Sequence, residues 1–363
     1  MSRLTGIFST TRNYNPGDEF ILFGIQNLLR EVTGPFNTVY YNRNPAVQNF
    51  RMTFDKEATI GTQTANWYQT MREHFSEREN TWAPELGLDF ADFAVFAGTP
   101  EWVGRMVEPL TTALADFKGP ILYLGLGSVE VMNNCTIDDL LGVDQTVLKK
   151  ADLITVRDTA AAKFLAPLNP HELPCPALFS AQAKPRTQKQ KIAVSFQGTA
   201  PTNTQRTDSD VRDYMIKLLE KLNQHFTCSV IAHYVDELAE LKALIPQGID
   251  LIYHADAADY IYTYDQFDLV VTTRVHGAGL ASALGIPAYA IAHSHRSQTA
   301  DGFLAETVDI ANDSVDEVFS RIQQCDTPAK SKIILQHQMD SKNRYLEFLK
   351  PLFAPLTRHD ATP

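Results

Sequence analysis

The chain of 363 residues is short of cysteine, short of basic charge and without a long unbroken apolar run. Its four cysteines, Cys135, Cys175, Cys228 and Cys325, lie far apart, and none belongs to a CxxC pair. That spacing fits thiols in a reducing compartment and gives no support to a disulfide scaffold or a zinc ribbon. Lys and Arg number 32 against 43 Asp and Glu, a formal net charge of −11. A general nucleic-acid binder or a polybasic membrane anchor needs the opposite balance. A small anionic substrate is still admissible, because a few buried arginines can create a local positive site on an acidic protein. Residues 1–8 contain no apolar stretch of the kind that precedes a signal cleavage site. The longest apolar region, 275–292, is interrupted by His276, several glycines and Pro287, so no integral membrane segment is expected. A soluble, cytoplasmic protein is the expectation. No period of 20–50 residues recurs, which argues against a solenoid.

Hydrophobic residues make up 44% of the chain. At roughly 100–200 residues per domain, the length suggests two domains. Short apolar runs alternate with amphipathic stretches. Strands are predicted at 4–8, 37–41, 93–98, 121–125 and 153–156, with helices over 18–32, 101–117, 137–150 and 159–165. A further helix is read over 67–75. The polar run 181–190 reads as a linker. Beyond it the alternation restarts, with strands at 192–196, 228–232, 251–253, 269–272 and 288–291. Helices fall between them at 211–226, 235–244 and 278–284. Such alternation predicts parallel sheets with right-handed crossovers. The expected division is an N-terminal α/β domain over 1–183 and a C-terminal one over 190–328. A last helix, 330–352, could return to the first domain, and the tail from 357 is expected to fray. Two such halves resemble Rossmann-like domains facing across a cleft, with ligands at the carboxyl ends of the strands.

The segment Thr272-Thr273-Arg274-Val275-His276-Gly277 stands at such an end. If the backbone stays extended, Arg274 and His276 share one face and Val275 turns into the core. Gly277 and Gly279 let the chain turn into a helix whose first N–H groups and dipole attract anions. Guanidinium, imidazole and helix terminus together suit a phosphate or carboxylate. Asn15-Pro16-Gly17-Asp18 opens a helix after the first strand, and Arg157 follows another strand. Asp18 has two readings: an acidic first-turn residue that complements the helix dipole, or a group facing a substrate hydroxyl. Arg12 and Asn15 share its loop. Gly125-Leu126-Gly127-Ser128 lacks the third glycine of a dinucleotide fingerprint, so it reads as a tight turn. His293-x-His295 has no third ligand nearby, and no metal is expected.

Residues 268–277, continuing to Ala281 and Leu284-Gly285-Ile286-Pro287, resemble the signature of the polysaccharide pyruvyl transferase family. Three other segments match in order: Asn15-Pro16-Gly17-Asp18, Ala151 to Asp158, and Cys175-Pro176-Ala177-Leu178-Phe179. The resemblance implies a GT-B-like fold, with the acceptor on the N-terminal side and the donor on the C-terminal side. It implies transfer of the enolpyruvyl group of phosphoenolpyruvate (PEP) to two hydroxyls of a saccharide, with no cofactor. Carried over by motif, Arg157, Arg274 and His276 would meet PEP, with His276 as acid or base. Gly277, Asn15 and Gly17 would line the substrates. Where members often have a Tyr-Asp-Pro-Lys-like stretch, this chain has Ala292-His293-Ser294-His295-Arg296-Ser297. Arg296 stands in for the lysine with a different geometry. A nucleotide-sugar glycosyltransferase of similar architecture and a non-catalytic saccharide-binding protein are the alternatives.

Overall fold

A computed structural model describes residues 3–12, 15–43, 82–98, 102–128, 132, 135–197, 209–292 and 295–358. The helix expected over 67–75 lies outside the described residues. Among the described residues, twelve strands form two six-stranded sheets. The first contains β1 (Thr5–Thr10), β2 (Asn37–Asn42), β3 (Phe93–Ala97), β4 (Ile121–Leu126), β5 (Leu153–Val156) and β6 (His171–Glu172). The second contains β7 (Lys191–Ser195), β8 (Thr227–Ile231), β9 (Asp250–Ile252), β10 (Leu269–Thr272), β11 (Ala288–Ala292) and β12 (Glu306–Asp309). Every pairing is parallel. The helices are α1 (Pro16–Thr33), α2 (Glu108–Leu114), α3 (Gly142–Lys150), α4 (Thr159–Phe164) and α5 (Ser209–Asn223). They continue as α6 (Leu238–Leu244), α7 (Ala257–Tyr264), α8 (Val275–Ala283), α9 (Val315–Gln324) and α10 (Thr327–Arg358).

Strand order decides where ligands can enter. The first sheet runs β2-β1-β3-β4-β5-β6, so the chain reverses its direction of travel between β1 and β3. The second runs β12-β11-β10-β7-β8-β9 and reverses between β7 and β10. At such a switch point the connections leave in opposite directions and open a crevice at the carboxyl ends of the strands. The segments after β1, β3, β7 and β10 therefore hold the natural binding positions. α1 follows β1, and α8 follows β10.

An apolar cluster joins the two halves. Phe20, Ile21 and Leu28 of α1 pack in one core with Ala177 and Leu178, with Tyr260 and Tyr264 of α7, and with Ala278 and Leu280 of α8. At about 25 cal/mol per Å², each of these buried large side chains contributes about 1.5–3 kcal/mol. α10 ties into both halves. Near its start, Ser331 donates to the Gly285 carbonyl at 2.7 Å. Further on, the Tyr345 hydroxyl donates to the Pro174 carbonyl at 2.8 Å and Phe353 meets Phe93 edge-on at 5.1 Å. Among the described residues, no helix is long and apolar enough to cross a membrane.

Several sequence expectations need correction. The helix expected over 101–117 shrinks to α2, because Gly104 adopts φ +91° and turns the chain before Pro109. The helix over 137–150 is broken, because Leu140 and Leu141 are extended (ψ 163° and 138°) between a capped 3-10 turn and α3. Thr357 and Arg358 continue α10, and 359–363 lie outside the described residues. β6, β12, α7 and α9 were not anticipated. The polar run 181–190 does lie between the two sheets, and it is anchored there by Arg186, which is 7% exposed. Its guanidinium donates to Asp265 Oδ1 at 2.6 Å, to the Asp265 carbonyl at 2.8 Å and to the Leu284 carbonyl at 2.9 Å.

Partial burial opposes charging of Asp265, but the hydrogen bonds and charges of Lys184 and Arg186 outweigh it and hold its carboxyl below the usual range. A depressed folded value stabilises the protein above the unfolded pKa, about 3.9, and that stabilisation fades as pH falls through the folded value. Arg186→Ala should cost about 2–4 kcal/mol near neutrality, since it removes one partner of a mostly buried pair. In thermal melts, Asp265→Asn should lower the melting temperature at pH 6, and the difference should shrink below about pH 4. A pH-independent difference would show that the charge is not what matters.

Candidate active site

Asn15 caps α1: its side chain accepts from the Gly17 N–H at 3.0 Å, and Pro16 supplies the first helical position. Asp18 and Glu19 follow in the first turn and are both buried, at 2% and 0% exposure. Buried carboxylates require cationic or donor partners. Asp18 has one in Arg43, just past β2, with Nη2 3.5 Å from Oδ2. Glu19 has one in Arg12, at 3.5 Å, whose guanidinium lies 4.5 Å from the Tyr40 ring centre. Asp18 is an acidic first-turn residue, as the first of its two readings has it, while the cap itself is Asn15. Asp18 is a buried carboxylate at the first switch point, paired with an arginine the sequence reading overlooked. The strand before Arg43, Asn37–Asn42, is polar at both ends and gives no signal that the arginine beyond it is buried.

Arg157 is held by backbone and small residues. Its N–H donates to the Leu126 carbonyl at 2.9 Å. Asp158 caps α4 through Oδ1 and accepts the Ser128 N–H through Oδ2, each at 2.8 Å. Gly127 lies flat against Arg157, and a Cβ there would stand 2.6 Å from Nε. Gly127 thus makes room for a guanidinium, while Gly125 makes room for Pro176. Arg157 Nη1 reaches Cys175 Sγ at 3.4 Å and His276 Nε2 at 2.9 Å. Burial pushes the nearby Tyr345 phenol upward, so it stays protonated and donates to the Pro174 carbonyl.

The extended face expected over 274–276 does not form. Arg274 is the N-cap of α8, with φ −94° and ψ 114°, and the helix starts at Val275. The Thr272 hydroxyl accepts the Arg274 N–H at 2.8 Å, and the Arg274 carbonyl accepts the N–H groups of Gly277 and Ala278. Helical geometry therefore separates the two side chains. His276, in the first turn, points to the first half and meets Arg157. Arg274 turns to the β8–α6 segment, where it pairs with Glu237 and lies over the Tyr234 ring at 4.6 Å. Gly277 packs against Thr272 and the Tyr264 hydroxyl, so a side chain there would separate α8 from β10.

The contact between the halves is tight. A Cβ on Gly17 would overlap the His276 ring, standing 2.8 Å from its Cγ. Arginine has donors only, so Nε2 of His276 accepts in the 2.9 Å contact and carries no proton there. Three expected site residues, Gly17, Arg157 and His276, thus converge. Asn15 supports them through the cap. Asp18 pairs with Arg43 and Arg274 with Glu237. Sequence reasoning missed Arg43, Glu237 and Tyr234. Arg296 falls in the 3-10 helix His295–Phe303, but its side chain and that of His295 lie outside the described residues, as does His293.

Two solved structures named as UDP-N-acetylglucosamine 2-epimerases share this architecture. One, putative and from Listeria monocytogenes, has TM-score 0.57 and 10% identity over 98% of each chain. The other has TM-score 0.54 and 12% identity over 100% of this chain and 99% of its own. The S. aureus MnaA–UDP co-structure matches with TM-score 0.52 and 11% identity over 98% of each chain. At these identities the likeness concerns the fold, which is two-domain α/β and GT-B-like. No curated protein sequence matches the chain. The family model for polysaccharide pyruvyl transferases matches residues 15–295. That span runs from the cap of α1 through His276 and beyond β11, and the chain belongs to the polysaccharide pyruvyl transferase family.

Proposed function

We propose that this chain is a PEP-dependent pyruvyl transferase that forms a pyruvate ketal on two hydroxyls of a saccharide. The observation that carries this reading is the 2.9 Å contact between Arg157 and His276, one from each half, closed over Gly17. PEP has a carboxylate and a phosphate, and Arg157 and Arg274 supply a guanidinium from either side. PEP is a cytoplasmic metabolite, so the reading places the reaction in the cytoplasm.

The chemistry balances with the groups at hand. A proton adds to the methylene carbon of PEP, and one sugar hydroxyl attacks C2 and loses its proton. Phosphate leaves with cleavage of its C–O bond to C2, taking up a proton. The second hydroxyl attacks C2 and loses its proton, which closes the ketal. His276 is the side chain suited to exchange these protons near neutral pH. Its unprotonated Nε2 is covered by Arg157, and a guanidinium that turns to a substrate anion uncovers it. Asp18, Asn15 and Arg12 stand on the side assigned to the acceptor, with Asp18 as a base or hydrogen-bond partner of the hydroxyls. Arg296 is assigned to the acceptor as well.

Phosphate release from PEP, measured with galactosides, mannosides and N-acetylmannosamine-containing glycans, should depend on one acceptor class. Binding of a nucleotide sugar without PEP would favour a glycosyltransferase, and glycan binding that survives loss of both Arg274 and His276 would favour a non-catalytic lectin-like role. His276→Ala should abolish turnover with PEP binding largely kept; unchanged turnover would remove His276 from the mechanism. Arg157→Ala and Arg274→Ala should each weaken PEP binding about 30-fold or more. Gly17→Ala gains up to about 1 kcal/mol of helix propensity, which offsets part of the cost of displacing the His276 ring and should keep the change in melting temperature small. It should still lower turnover about tenfold or more by displacing His276. Full activity in Gly17→Ala would mean that the ring position is not critical.

A further inference from the structure

Arg274 is not left to find its own orientation. Glu237 ends the 3-10 turn Val235–Glu237, before α6, and its side chain is 1% exposed. Its Oε2 accepts the backbone N–H groups of His233 and Tyr234, each at 3.3 Å, so the carboxylate is fixed by the main chain. Its Oε1 pairs with Nη2 of Arg274. Tyr234, from the same turn, offers its ring face to the guanidinium at 4.6 Å. The turn is itself anchored. His233 is 2% exposed, its Nε2 is 2.8 Å from the Tyr264 hydroxyl, and its ring meets Phe20 of α1 edge-on at 6.3 Å.

A carboxylate buried this deeply is costly unless its partners are good, and hydrophobic replacements of such pairs are often neutral or better for stability. Its placement at the carboxyl end of β8, beside the β7–β10 switch point, suggests use rather than stability. A free arginine side chain loses rotamer freedom when it is fixed. Fixing it before the ligand arrives removes that loss from binding.

We propose that Glu237 is a positioning residue that holds the Arg274 guanidinium in the orientation in which it meets an anionic group of the substrate. The inference rests on the reading of Arg274 as an anion contact. It requires a carboxylate specifically. Both oxygens of Glu237 face N–H donors, so a glutamine must turn its NH₂ group against either Arg274 or the backbone of the turn.

The test is a calorimetric titration of PEP, and separately of inorganic phosphate, into the wild type, Glu237→Gln, Arg274→Ala and the double variant. Glu237→Asp serves as a second probe: it keeps the charge but withdraws it by one methylene, and thermal melts check that each variant folds. Glu237→Gln and Glu237→Asp should each weaken PEP binding about tenfold or more. On the Arg274→Ala background, Glu237→Gln should add nothing, because it acts through that arginine. A merely structural role would give losses that add in full, and that result overturns the proposal. So does wild-type affinity in both Glu237 variants, which leaves the PEP reading standing. Phosphate binding that follows the same pattern without PEP binding supports Glu237 and rejects PEP as donor. If the wild type binds neither anion, both fall.

Discussion

The hydrogen bond from Arg157 to His276 crosses the contact between the two halves, and much of the site's detail follows from its 2.9 Å length. For the guanidinium to reach that far it must lie flat on Gly127, and for the ring to receive it α1 must come close enough to touch through Gly17. Neither position tolerates a side chain without a shift of the groups above it. Gly127 and Gly17 therefore serve one contact from two directions.

Topology explains why these segments meet. In parallel sheets the carboxyl ends of the strands at a switch point are left open. The first sheet places α1 and the buried Asp18–Arg43 pair there, and the second places the start of α8. The shared core of α1, α7 and α8, with residues 175–179, holds the two openings against each other. α10 bridges them again, through Ser331 on one side and Tyr345 on the other. Charge in the site is distributed by partner. Each arginine has an acceptor: Asp18 for Arg43, Glu237 for Arg274 and an imidazole for Arg157. An imidazole partner from the other half distinguishes Arg157, because this contact crosses between the two sheets.

Much of this is legible in the sequence, and the gaps have physical causes. β-branched and apolar runs mark β3, β4, β5 and β10 within a residue or two, because strands buried on both faces read as continuous hydrophobic runs. Arg157 and His276 are visible as polar residues just beyond such runs. The direction of Arg274 is not, because it depends on whether residue 275 is extended or helical, and only the Thr272 hydroxyl and small residues packed behind α8 decide that. Glu237 and Arg43 are hidden for another reason. Each looks like an ordinary surface charge until tertiary packing buries it against a partner distant in sequence. Arg186 is hidden in the same way: it sits in the polar run between the two sheets, and only the fold packs it against Asp265 and the end of α8.

The most direct measurement is a crystal structure of the protein soaked with PEP. If the two halves clamp this donor, one anionic group of PEP lies within hydrogen-bond distance of the Arg157 guanidinium and the other within reach of Arg274. His276 Nε2 is then released from Arg157 and faces the ligand. PEP bound elsewhere, or bound with the Arg157–His276 hydrogen bond still closed, would contradict the assignment.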